Sequence, residues 1–82
     1  MSTARKIAIL SGSYREFDWY CRQNNLDRHK VIYISRAVHI EGILSDPPLL
    51  VIRIGKWRTR PDSEQIEQLC RACGYEVRDE EI

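Results

Sequence analysis

Apolar residues in this chain fall into short unbroken blocks separated by helical stripes, and the two kinds alternate. Residues 6–10, 31–34 and 49–54 are rich in Ile, Leu and Val with little polar alternation, the pattern of strands covered on both faces in a parallel sheet. After the first block, Ser11-Gly12-Ser13 reads as a turn. Ser13 with Glu16 forms an S-x-x-E capping box, which starts a helix near Tyr14. That helix runs to about residue 24 with Phe17, Tyr20 and Cys21 on its inner face, and Asn24-Asn25 ends it.

Following the second block, Ser35 is placed to cap a short helix over residues 36–43, with Ala37, Ile40 and Leu44 on one face. Gly42 weakens it by about 1 kcal/mol relative to Ala. Asp46-Pro47-Pro48 stops it and leads stiffly into the third block. The loop 55–61 precedes a second helix, for which Asp62 with Gln65 is a box-like cap and Glu64 and Glu67 suit the positive end of the dipole. Ile66, Leu69, Cys70 and Cys73 form its apolar stripe, and Gly74 is its terminating glycine. The tail 75–79 alternates enough to add an edge strand, blunted by Glu80 and Glu81.

The expected fold is a single α/β domain over residues 1–82: a small Rossmann-like parallel sheet of three strands, with the tail as a candidate fourth edge strand, and flanking helices. Its strand order is 2-1-3 or, alternatively, 3-2-1. The second-to-third connection is about 14 residues, near the lower limit for a crossover. At 82 residues and 9.7 kDa the chain allows one domain. A domain of this size buries only about 60% of its unfolded surface, which limits its stability. No apolar run approaches the roughly 20 residues that cross a bilayer, so no membrane partner is expected. Three cysteines without an export signal predict reduced thiols and a cytoplasmic setting.

Charge sharpens the picture. The net value is only +1, yet residues 1–61 carry eleven Lys/Arg against five Asp/Glu, and residues 62–82 carry two against seven. Ligands of open parallel sheets bind beyond the carboxyl ends of the strands. Here the three strand-end connections bring Ser11, Gly12, Ser13 and Arg15, then Ser35 and Arg36, then Gly55, Lys56, Arg58 and Arg60. Only Glu16 and Asp18 bring carboxylates nearby. Such a rim should attract an anion, most simply a phosphate. The plain alternative is that loops are polar and the chain is arginine-rich.

Other chemistry is sparse. In the stretch 55–60, Trp57 interleaved with Lys56, Arg58 and Arg60 suits single-stranded nucleic acid, bases stacking on the ring. Against that, a small core needs its tryptophans, and a pI near 7.7 is low for a nucleic-acid binder. Cys70 and Cys73 form C-x-x-C in the last turn of a helix, where the dipole disfavours thiolates, so both read as core residues. Cys21, His29 and His39 offer no second paired spacing for a metal. No nucleophile elbow is present, and Gly55-Lys56 lacks the rest of a phosphate-binding loop. Neither enzymatic activity, a cofactor nor a metal is expected.

The segment 6–17, with its strand followed by Gly12-Ser13 and Arg15, resembles the opening of Rossmann-like nucleotide-ligand-sensing domains, which implies nucleotide binding there. The layout as a whole is similar to small uncharacterised α/β proteins of actinobacterial phages. They share a Val-Ile-Tyr-Ile-Ser strand, a short glycine-containing helix and a third strand ending in glycine before an aromatic. That similarity implies a phage accessory protein acting in the host cytoplasm. The leading expectation is a non-enzymatic protein that binds a phosphate-bearing ligand (a nucleotide) through Ser11, Gly12, Ser13, Arg15, Ser35, Arg36, Lys56 and Arg58. The alternative is a protein-interaction module, homodimeric or bound to a host protein, suggested by open sheet edges, segregated charge and the aromatics Tyr14, Trp19 and Trp57. Single-stranded nucleic acid at the Trp57 loop is the third reading.

Overall fold

The apolar blocks become strands because each finds a cover on both faces. In the computed structural model, which describes residues 6–43 and 48–80, the chain forms β1 (Ile7–Leu10), α1 (Tyr14–Gln23), β2 (Ile32–Tyr33) and a 3-10 turn (Ala37–Ile40). It continues with β3 (Leu50–Ile54), a second 3-10 turn (Trp57–Thr59), α2 (Ser63–Cys73) and β4 (Glu76–Glu80). All strands are parallel, in the order β2-β1-β3-β4. Among the described residues the fold is therefore α/β, with a four-stranded parallel sheet and two α-helices. The tail supplies the fourth strand, pairing Val77 with Val51 and Arg78 with Ile52.

Side chains of a strand leave alternately to the two faces, and here both faces are apolar. Ile9, Leu50, Ile52 and Ile54 pack with Phe17, Tyr20 and Cys21 of α1. Ala8, Leu10 and Val51 point the other way, toward Ile66 and Cys70 of α2, Ile40 of the first 3-10 turn, Trp57 and Tyr75. One helix per face is enough for the central pair β1 and β3. The outer strand β4 stays mostly exposed.

Several expectations need correction. The strand over 31–34 shrinks to Ile32–Tyr33, and the helix expected over 36–43 is a 3-10 turn of four residues, Ala37–Ile40. The apolar period there is too short, and Gly42 stands at φ +72°, which no α-helix accommodates. Ser35 does not cap that turn: Arg36 holds the N-cap position without a side-chain bond, and the Ser35 hydroxyl instead meets His39 Nδ1 at 3.1 Å. Asp62 occupies the N-cap position of α2 but makes no capping bond, because its carboxylate is held by Arg60. Cys70 is buried while Cys73 is exposed, so only one of the pair is a core residue. The expectations for Leu44, Asp46, Pro47 and Glu81 lie outside the described residues.

Three polar fasteners join the layers. Arg53 is the one charged residue on the inner strand β3, and its guanidinium lies 4.1 Å over the Trp57 ring. It is bonded to both carboxylate oxygens of Asp79 on β4 and lies 3.9 Å from Glu67 on α2. Those bonds hold the Asp79 carboxyl below its ordinary range. On the other face the Tyr20 hydroxyl donates to Glu80 at 2.7 Å, tying α1 to β4; burial and that carboxylate push its pKa up to about 12.

The third fastener is Tyr75. Its hydroxyl donates to Ile40 C=O at 2.5 Å and accepts the Ile43 N–H at 3.0 Å, joining the first 3-10 turn to the α2–β4 connection. Tyr75→Phe should destabilise the protein by about 1–3 kcal/mol, because two part-buried backbone groups lose their partner. Urea unfolding measures this, and the Ile43 amide should exchange faster with solvent. An unchanged midpoint would show that water replaces the hydroxyl.

Candidate functional site

A parallel sheet ends on one side with strand-terminal amides and carbonyls that have no further neighbour. In this protein the connections leaving β1, β2 and β3 meet at that rim, and two side chains of opposite charge neutralise it.

Glu16, in the first turn of α1, supplies the acid. Its carboxylate accepts the Gly12 N–H at 2.7 Å and the Lys56 N–H at 3.3 and 3.2 Å, bridging the loops after β1 and β3. The expected capping box is half formed. Ser13 Oγ accepts the Glu16 N–H at 3.4 Å, but the carboxylate reaches past Ser13 to Gly12 and across to Lys56. Two glycines make room for it. A Cβ on Gly12 would stand 2.8 Å from Oε1 and 2.9 Å from the Lys56 carbonyl. A Cβ on Gly55, already at φ +57°, would overlap the carboxylate itself. Glu16 thus fills the place between β1 and β3 where the chain switches sides of the sheet, the usual location of a bound anion.

Arg60 supplies the base. Its side chain is 11% exposed, and Nη1 donates to Ile34 C=O at 2.5 Å and Ser11 C=O at 3.2 Å, while Nη2 donates to Ser35 C=O at 2.8 Å. Asp62 closes the set with two 3.0 Å contacts to the guanidinium. The planar donor fork matches several carbonyls at once, which a lysine cannot do. Arg60 therefore acts as a structural bolt through the ends of β1 and β2.

The residues expected to bind a ligand sort accordingly. Ser11 is fully buried with its hydroxyl on Ser13 C=O at 2.6 Å, Ser13 caps α1, and the Gly12 amide is taken by Glu16. Ser35 contacts His39, and its carbonyl holds Arg60. Arg15 in the first turn of α1, and Arg36 and Lys56 in the connections after β2 and β3, have exposed side chains without a side-chain ion pair or hydrogen bond among the described residues. Arg58 is exposed and lies 5.2 Å from the Trp57 ring. Trp57 is only 9% exposed, packed in the core beneath two arginines, so its ring offers no platform for a base. Sequence reasoning missed the roles of Glu16 and Arg60. The signal for Glu16 was a glycine just beyond β1 and another directly after β3, with one acid close enough to need the space.

Two hollows flank the sheet, one at the end of the strands opposite the rim and one that reaches the rim beneath Trp57. One, of about 240 Å³, opens at the amino-terminal ends of β1 and β2 among Lys6, Ile7, His29, Lys30, Val31, Ile32 and Ile43. The other is a slot with room for little more than one water between the sheet and α2. No group of three His, Cys, Asp or Glu side chains is placed to hold a metal ion among the described residues. Among them, too, no helix is long and apolar enough to cross a membrane. Burial pushes the Cys70 thiol up to about 11 and raises that of Cys21, which makes both poor nucleophiles.

Glu16→Ala should cost about 1–2 kcal/mol by freeing the Gly12 and Lys56 amides, and Gly55→Ala about 1–3 kcal/mol through strain and overlap. The double variant should lose less than the sum, since removing the carboxylate removes the overlap; strict additivity in urea unfolding would separate the two residues. Arg60→Met should be the most damaging rim substitution, at about 2–4 kcal/mol, because the carbonyls of three residues and Asp62 lose their donor together.

No protein-family model matches this chain, and no curated protein or solved structure shows significant similarity to it.

Proposed function

We propose that the protein is a binding protein, not an enzyme, that takes a phosphate-bearing ligand on the open face of its carboxyl-end rim. Side chains make the contacts, in place of a cradle of backbone amides. Arg15, Arg36, Lys56 and Arg58 are the counter-charges. The observation that carries this reading is the division of labour at the rim. Glu16 and Arg60 satisfy the backbone internally, and the exposed cations of three adjacent connections are left facing solvent. The slot beside Trp57 has room for little more than one water and the larger hollow opens at the opposite end of the strands, so a ligand lying across the rim surface, such as a nucleotide's phosphates or a short oligonucleotide, suits it better than an enclosed one. Ser11, Gly12, Ser13 and Ser35 serve the fold of the rim and do not touch the ligand. As a phage-type accessory protein it would meet such ligands in the host cytoplasm.

Tyr14 and Trp19 favour a second reading. They are 53% and 46% exposed on α1, more than a small domain gains from leaving large aromatics in water, and a protein partner would cover them. Trp19→Ala would weaken that association and leave phosphate binding at the rim unchanged.

Binding of nucleoside triphosphates and of a labelled oligonucleotide, followed by thermal shift and fluorescence anisotropy at several salt concentrations, tests the first reading. Affinity should fall steeply with salt. Lys56→Glu with Arg36→Glu should weaken it and lower the salt slope by about one for each phosphate no longer neutralised. A saturating nucleotide, at about 100 times its Kd, should add about 2.7 kcal/mol of stability. Absence of any binding at low salt would end this proposal.

A further inference from the structure

We infer that the outer edge of β4 is a self-complementary seam for a second copy of this chain, joined antiparallel about a two-fold axis at Val77. This is independent of phosphate binding at the rim. Hydrogen bonding along β4 alternates: Glu76 donates its N–H to Leu49 C=O and so faces β3. The N–H and C=O of Val77 and Asp79 therefore point outward, away from the sheet. An antiparallel neighbour centred on Val77 uses all of these groups except the Asp79 C=O, because the Tyr75 N–H that would face it already donates to Cys70 C=O at 3.0 Å. Val77 N–H meets the C=O of the partner's Val77, and Asp79 N–H meets the C=O of the partner's Tyr75, each twice by symmetry.

Side chains select this register. Within one chain Arg78 already lies 3.5 Å from Glu76 on the α1 face. The Val77 axis sets Glu76 opposite the partner's Arg78, and Arg78 opposite the partner's Glu76, so the four charges alternate around a square. On the α2 face it sets Val77, which is 38% exposed on its own, against the partner's Val77. Shifting the axis to Arg78 would place that residue opposite the partner's Arg78 and Glu76 opposite the partner's Glu80. An axis at Asp79 would oppose two carboxylates already committed to Arg53. An axis at Glu76 would oppose two glutamates. Like charges directly across a pair of strands repel.

A charged edge usually deters pairing, but acid and base two positions apart on one face deter these shifted registers and favour the one that pairs them. The resulting interface is isologous, as a two-fold contact requires. A five-residue seam buries little area, so the association should be weak and visible as a dependence on concentration.

Sedimentation over a wide concentration range at low salt tests this. The natural chain should dimerise. Arg78→Glu and Glu76→Arg should each weaken the dimer about tenfold, as two symmetry-related pairs turn repulsive. The double exchange Glu76→Arg with Arg78→Glu should restore it. Hydrogen exchange on the unaltered protein gives a second readout that no folding defect can confuse. The amides of Val77 and Asp79 should gain protection as concentration rises, and those of Glu76 and Arg78 should not change. A monomer at every concentration, a double exchange as weak as the singles, or protection at Val77 independent of concentration would each overturn the inference. Phosphate binding at the rim should be untouched by these variants, so either proposal can fail alone.

Discussion

A sheet whose strands all run the same way gathers its unpaired strand-end groups on one side, and this fold depends on how they are satisfied. Free amides call for an anion and free carbonyls for a donor. Glu16 answers the first need between β1 and β3, and Arg60 answers the second across the ends of β1 and β2. Both belong to elements that must exist before they can reach the rim, α1 for Glu16 and the turn after β3 for Arg60. The rim thus couples the connections of the sheet to one another, which a domain with so small a core needs.

The same economy runs through the rest of the molecule. Polar residues placed against the sheet serve as connectors. Arg53 joins β3 to β4 and stacks on Trp57, Tyr20 joins α1 to β4, and Tyr75 holds the first 3-10 turn. The outermost strand, mostly exposed, is thereby held from both faces by side chains and from one side by β3. Among the described residues no strand pairs with its outer side.

The proposed function rests on what these connections leave over. Once Glu16, Arg60 and Asp62 are committed, the rim keeps the exposed cations Arg15, Arg36, Lys56 and Arg58. A pocket built from backbone amides would need Glu16 to leave, whereas a surface built from arginine and lysine needs no rearrangement. That difference is the reason we propose an open phosphate-binding face and not an enclosed nucleotide site.

Much of this architecture was legible in the residues alone. Unbroken blocks such as Ile7 to Leu10 announce strands buried on both faces, the Ser13–Glu16 spacing locates the start of α1, and Gly74 locates the end of α2. These features are local, since propensity, capping and burial period act over a few neighbours. The turn over residues 37–40, the exposure of Cys73 and the partners of Asp62 and Glu16 were not legible. Most of these depend on groups distant in sequence: Tyr75 for the turn, Lys56 for Glu16, and the ends of β1 and β2 for Arg60 and so for Asp62. The sequence by itself determined that strands and helices alternate and that cations follow each of the first three strands. Only the tertiary structure decided which charges are used up in holding the rim together, because a charge's partner is set by where the chain returns in space.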